Sequence, residues 1–431
     1  MKVTTCGILL AVAAFARLPA DTQETRGLSR ETANVLRNLF ELPQAGRYVY
    51  SVCHPWPEDS PDFRKSGPDG SWFARRPDEF RFPDGVCERA SMKPLLYFSD
   101  FYFVTGTWEP PERYAASRAS LTAMIRKAWK DYGSIPVLGW HPENPYVPAG
   151  WRDPKYGAAA YRYRYSSEGY PPKHRFVLRE ILEQRGAPCG QGRRDGSRAA
   201  RGDPNPRIWY DRQLETIAAF LNGLADDNGI KIPVIVRLLH EVEGDWSWWG
   251  PGSASANDYI AFCRYTVSRL RQLVNDGENL LFAYSPDRYW SELGAPGRNG
   301  AFTYLSRYPG DDFIDIVGLD DYSIGVSTNA AACAQMLKQS VARMRLVSSF
   351  ARAHGKVAGL FETGPGISPR ADAYDWLHRA MTAEGVSFSF VNTWGGNYTV
   401  PTSPEGVSCW RRFVHQRAIV TFGRGGGLAA H

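Results

Sequence analysis

The chain has 431 residues, 43% of them hydrophobic and 22% charged, with a formal net charge of +6. This length and apolar content allow one large barrel or two medium domains around a full core, and exclude a chain disordered as a whole. The charge is modest and forms no long basic block, which argues against nucleic acid as a partner.

The composition is most unusual in its aromatics, with 14 Trp, 22 Tyr and 21 Phe. Flat ring faces stack on the apolar faces of ligands, and sugar rings present such faces.

The N-terminus, MKVTTCGILLAVAAFARLPAD, has one lysine, a short apolar stretch from Gly7 to Phe15, and then small residues. These are the parts of a secretory signal peptide over residues 1–20, cleaved after Ala16 or Ala20. The stretch is too short to span a bilayer. Cys6 precedes the apolar stretch, which does not suit a lipoprotein site. The expected location is extracellular or periplasmic, and the expected state a soluble monomer.

Strand-like runs then alternate with helix-like runs from about residue 30 to 420. The strands are predicted at 47–53, 94–100, 135–140, 232–239, 279–285, 313–319, 356–361 and 386–392. Leu214, Ile217, Leu221 and Leu224 mark one helical stripe between them. Eight β/α repeats in order imply a single-domain (β/α)8 TIM barrel over residues 21–422. A doubly wound open sheet fits less well, because no glycine-rich phosphate loop follows the first strand. The long Gly-, Pro-, Arg- and Tyr-rich segment 144–208 follows the third strand and is expected to roof one side of a cleft. Its Arg-Gly-Asp at 201–203 reads as accidental, although cell adhesion is the function it would suggest. The tail 423–431 is flexible by composition.

Six cysteines follow the leader. Cys263 and Cys333 fall on helical core stripes and are expected as buried thiols. Cys53 with Cys87, and Cys189 with Cys409, are the expected disulfides. One sequon occurs at Asn397.

Active sites of such barrels lie at the C-terminal ends of the strands. The third strand here ends in Trp140 and His141, and the sixth in Asp320, Asp321 and Tyr322. The seventh ends in Glu362, and the eighth runs into Trp394. The fourth leads into the densest stretch, RLLHEVEGDWSWWG at 237–250. By alternation, Glu241, Leu239 and Arg237 share one face. A buried Arg237 would then need a carboxylate partner, with Asp100 and Asp320 as candidates.

Glu241 and Glu362, on separate strands, would face each other across the barrel mouth. Two facing carboxylates suit glycoside hydrolysis, at about 5–5.5 Å apart in a retaining enzyme. Glu241, beside water-excluding tryptophans, should hold its proton and act as acid, then base. Glu362, steadied by a donor such as Tyr322, should attack. His141 is a candidate donor to a sugar hydroxyl. A zinc motif fails, because the position of the second His is Gly244. Neither a metal nor another cofactor is expected.

These motifs resemble glycoside hydrolase family 26, the β-mannanase family of a large clan of (β/α)8 retaining glycosidases. HEVEGDWSWWG is similar to that family's His-Glu-Met-Asn-Gly-x-Trp-Phe-Trp-Trp-Gly signature. GWHPENP at 139–145, FIDIVGLDDY at 313–322 and FETG at 361–364 resemble its other motifs, in the same order. The resemblance implies acid/base Glu241, nucleophile Glu362, and Tyr322 bonded to the nucleophile. It places His240 beside the acid/base, and His141, Trp249 and Trp394 around the sugar, where Trp140 and Trp246 are also expected from their positions beside His141 and Glu241. It implies an endo-acting β-1,4-mannanase. The alternatives are a β-1,3-1,4-glucanase, a β-1,3-xylanase, an exo-acting mannobiohydrolase or a non-catalytic polysaccharide-binding barrel. The chain departs from the pattern at Glu243, where the signature has Asn, at Ser247, where it has Phe, and at Gly395, where many members have Arg.

Overall fold

A computed structural model of the chain describes residues 27–52, 94–105, 111–148, 151, 153–154, 160–185, 205–288, 303–395, 398–420 and 428. The leader, the Arg-Gly-Asp, Asn397, Cys53, Cys87 and Cys189 lie outside the described residues.

The strands run β1 (Tyr48–Val52), β2 (Leu96–Asp100), β3 (Ile135–Trp140), β4 (Val234–Leu238), β5 (Leu280–Tyr284), β6 (Ile316–Asp320), β7 (Val357–Thr363) and β8 (Phe390–Thr393). Each falls within the run predicted for it or within two residues of its end. All are buried along their whole length. That is why the sequence shows short continuous apolar runs rather than polar alternation: one face meets the barrel interior and the other the helical layer. All the pairings are parallel, in the order β2-β3-β4-β5-β6-β7-β8-β1-β9. The ring closes between β1 and β2, where the Ser51 hydroxyl donates to the Leu96 carbonyl. A ninth strand, β9 (Ile419–Val420), was not expected. It pairs with the first residues of β1.

Two apolar layers result. The interior layer holds Val49, Phe98, Val137, Ile235, Leu281, Ile316, Phe361 and Phe390. The helix Arg30–Glu41 contributes Val35, Leu36, Leu39 and Phe40 to this same layer and so caps one end of the barrel. Ser29 starts that helix by accepting from the Thr32 amide, as N-cap serines do. The outer layer joins the opposite strand faces to the surrounding helices.

Three expectations need correction. Cys409 is a buried free thiol, as are Cys263 and Cys333, so it forms no disulfide with Cys189. Within the tail, Leu428 is anchored rather than flexible. Its side chain joins the interior layer, and its carbonyl accepts from Asn38 Nδ2 at 2.7 Å. The strand alternation carried through to Glu241 ends at Leu238, because Leu239 and Glu241 take φ of +44° and +52°. Leu239 therefore packs in the outer layer.

Candidate active site

Arg237 sits on the interior face of β4, above the apolar layer. Its guanidinium carbon lies 5.2 Å from the centre of the Phe361 ring. Phe361 and Phe390 meet edge to face at 5.0 Å and form the floor beneath it. The guanidinium donates through Nε to Ser285 Oγ at 2.7 Å, through Nη1 to Glu362 and through Nη2 to Asp320. All three charged groups are buried. Asp320 is thus the partner expected for Arg237, and Asp100 is not. Asp100 instead holds His141, with Oδ2 at 2.5 Å from Nδ1.

Glu362 reaches the interior through an irregularity in β7. Leu360 pairs with Leu319, but Glu362 pairs with Asp320, so one extra residue is inserted. In β7, Ala358 and Leu360 face the outer layer, and unbroken alternation would carry Glu362 there too. The bulge turns it back towards the mouth. Its second oxygen, Oε2, accepts from Tyr322 Oη at 2.6 Å. An arginine and a phenol on one carboxylate stabilise negative charge through charge-assisted bonds. Gly364 makes room for this arrangement. A Cβ there would meet the Tyr398 ring at 2.5 Å and the Tyr322 ring at 3.1 Å.

Glu241 follows β4 in a turn. Its amide donates to the Ser285 carbonyl at 3.0 Å and its carbonyl accepts from Gly244 at 2.9 Å. A non-glycine residue at φ +52° is uncommon and is often found where a backbone is held for function. Trp246 Nε1 donates to Glu241 Oε2 at 2.7 Å. Gly244 lets that indole fold back, since a Cβ at Gly244 would lie 2.2 Å from the ring. Burial, then the negative charges of Asp287 and Glu362, push the Glu241 carboxyl well above its ordinary range, against Arg237 and the Trp246 bond. Carboxylate oxygens of Glu241, Glu362 and Asp320 all lie within 4.8 Å of one another. A cation could bridge such a trio, but the Arg237 guanidinium already supplies positive charge to two of its members.

His240 is buried, with Nε2 3.8 Å from Glu362 Oε1. Burial, then Arg237 and His141, hold its imidazole well below its ordinary value, so it stays neutral. It meets His141 edge to face at 4.5 Å.

The tryptophans divide. Trp246 and Trp394 keep partial exposure at the mouth. Trp249 is 1% exposed and Trp248 fully buried, so neither offers a free face to a sugar. Trp249 Nε1 donates to the His240 carbonyl at 3.0 Å, and its ring stacks on Tyr161 at 5.9 Å. Trp140, expected at the sugar, has the parity of Pro136 and Leu138. It points outwards and stacks on Tyr210 at 5.3 Å, away from the mouth.

Two residues here were not singled out from sequence. Tyr161, on the short helical turn Ala160–Arg162, lies 4.7 Å from the His141 ring, so the segment after β3 does reach the site. Asp287 bridges to Asp320 just beyond β5 and is almost fully buried. Burial, with the charges of Asp321 and Glu362, pushes it up to about 7. It follows the same strand-end rule that found the others.

A parallel (β/α)8 barrel with two acidic groups converging at its C-terminal mouth has a geometry suited to glycoside hydrolysis. Residues 204–365 match the family described as glycosyl hydrolase family 26. A mannan endo-1,4-β-mannosidase of Bifidobacterium adolescentis is 37% identical over 155 residues, covering 36% of this chain and 14% of that protein. Among solved structures, GH26C from Muricauda sp. MAR_2010_75 superposes with a TM-score of 0.68 at 24% identity, covering 94% of each chain. A GH26 β-mannanase from Bacteroides ovatus gives a TM-score of 0.67 at 21% identity, covering 94% of this chain and 98% of that one. The family match thus covers residues 204–365, and the fold over nearly the whole chain is that of the solved GH26 structures. The chain spans 14%, 21% and 28% of the lengths of three curated relatives that it matches.

Proposed function

We propose that the protein is a secreted, retaining endo-β-1,4-mannanase acting on mannan, galactomannan or glucomannan. The observation that carries this reading is the pair of acidic side chains with oxygens within 4.8 Å of each other. That spacing suits the retaining geometry of about 5–5.5 Å and is short of the roughly 6.5–9.5 Å of an inverting pair. The mannan endo-1,4-β-mannosidases among its relatives support the choice of substrate.

In this mechanism Glu362 attacks the anomeric carbon. Arg237 and Tyr322 hold its two oxygens. Glu241 gives its proton to the departing oxygen, and the indole of Trp246 fixes the direction from which it does so. A covalent glycosyl-enzyme forms. Glu241, now ionised, takes a proton from water, which attacks the same carbon and releases Glu362. His240, neutral and beside Glu362, offers a hydrogen bond to a sugar hydroxyl.

A panel of galactomannan, glucomannan, mixed-linkage glucan and β-1,3-xylan tests the substrate. NMR of the anomer first formed tests retention, and the product sizes over time test endo action. Replacement Glu362→Ala should abolish turnover with binding intact. Full activity in that variant would refute the assignment.

A further inference from the structure

The retaining mechanism leaves a buried acid, Asp100, without a role. Asp100 ends β2, is 3% exposed and has both side-chain oxygens engaged. Oδ1 accepts from the Tyr102 amide at 2.8 Å, and Oδ2 lies 2.5 Å from His141 Nδ1. The carboxylate is therefore fixed in direction. β2 and β3 run parallel with Asp100 beside Gly139, where a Cβ would stand 3.3 Å from Oδ2. That glycine leaves the acid space to lean across to His141, two residues further on. The His141 ring is held as well, against Tyr161 at 4.7 Å and edge to face with His240 at 4.5 Å.

We propose that Asp100 is a positioning residue that fixes the ring hydrogen of His141 on Nδ1, so that Nε2 is left to accept a hydrogen bond from a hydroxyl of the sugar under attack. The proposal rests on the glycosidase reading of the site.

A neutral imidazole carries one N–H, and a carboxylate only accepts. The nitrogen facing Asp100 then carries the hydrogen, which leaves a lone pair on the other nitrogen. His141 Nε2 has no hydrogen-bond partner among the described residues, and the side chain keeps 18% of its surface exposed. His240 links this acceptor to the nucleophile. It touches His141 on one side, and its Nε2 stands 3.8 Å from Glu362 Oε1 on the other. A sugar with its anomeric carbon over Glu362 therefore has its ring hydroxyls within reach of both imidazoles. The donor role expected for His141 from the sequence is reversed: the hydroxyl donates and the ring accepts. A hydroxyl can do either, so the tautomer of His141 selects which way the hydroxyl is turned. Asparagine in place of Asp100 keeps the shape but brings an N–H donor. Turned towards Nδ1, that donor moves the histidine hydrogen to Nε2.

The test is long-range 1H–15N NMR at pH 8 on protein labelled with 15N-histidine, with His141 assigned by its loss in His141→Gln. The ligand-free parent should show His141 with Nδ1 protonated and Nε2 bare, and Asp100→Asn should show the reverse or a mixture. A protonated Nε2 in the parent, alone or together with Nδ1, would overturn the proposal, as would an unchanged tautomer in the folded variant. If Asp100→Asn does not fold, the parent spectrum decides by itself. Mannobiose added to Glu362→Ala, with saturation followed by tryptophan fluorescence, should shift the Nε2 resonance. Saturation without a shift would overturn the sugar contact. In Asp100→Asn, kcat/KM on mannan should fall about 10- to 100-fold. A wrong proposed function would appear separately, as turnover surviving Glu362→Ala or as a parent that leaves mannan uncut, and neither alters the ligand-free spectrum.

Discussion

The replacement Asp287→Asn should stabilise the protein by an amount that grows above about pH 4 and is complete only above about pH 7. Asp287 moves from an ordinary value of 3.8 when exposed to about 7 when folded. Below pH 3.8 the side chain is protonated in both states and contributes no penalty. As the pH rises the unfolded chain loses this proton first, so the unfolded state is favoured until the folded group also ionises near 7. The full penalty is present above that point. Three units at roughly 1.4 kcal/mol each amount to about 4 kcal/mol, a ceiling because neighbouring acids share protons with Asp287. Asparagine has nearly the same shape and no charge, so the variant should gain about 2–4 kcal/mol at pH 9 and almost nothing at pH 4. Urea unfolding followed by tryptophan fluorescence at the two pH values measures this directly. An equal gap at both, or none at pH 9, would refute the reasoning.

Two further outcomes follow from the hydrogen bonds around Glu362. Tyr322→Phe removes the 2.6 Å bond to its Oε2, and kcat should fall about 10- to 100-fold with KM little changed. Arg237→Met leaves Glu362 and Asp320 buried without their cation, and unfolding at pH 8 should become easier by about 3–5 kcal/mol. Arg237→Lys, which keeps the charge but loses the forked geometry, should fall between the parent and Met in the same urea titration.

The eight main strands were legible because each is an apolar run bounded by turns and buried on both faces. β9 is only two residues long and gives no periodic signal. Arg237 was legible as an interior charge from strand parity, but the choice between Asp320 and Asp100 depends on distances across the barrel. Glu362 was placed correctly at a strand end, although the bulge that aims it is invisible in FETG. The orientation of Glu241 follows from two left-handed residues rather than from alternation, and no glycine announces them. Trp140 could have been set aside from sequence alone, because its parity matches Leu138. The crowding in WSWW suggested a sugar platform, but two of its three rings are internal props. Asp287 was readable in the same way as the other strand ends, whereas Tyr161 depends on how a long segment folds back.

The pairing of β1 with β8 and β9 has a consequence for how the protein is made. Tyr48 and Val49 find their partners only at Ile419 and Val420, and Val49 also at Phe390. During synthesis the first strand must therefore wait, without its strand partner on either edge, while more than three hundred residues leave the ribosome. Contacts of such long sequence separation form slowly and leave sticky edges exposed meanwhile. Chaperone dependence and losses to inclusion bodies should accordingly centre on this junction, and shortening the chain before Ile419 should reduce soluble yield far more than a similar cut in a surface loop.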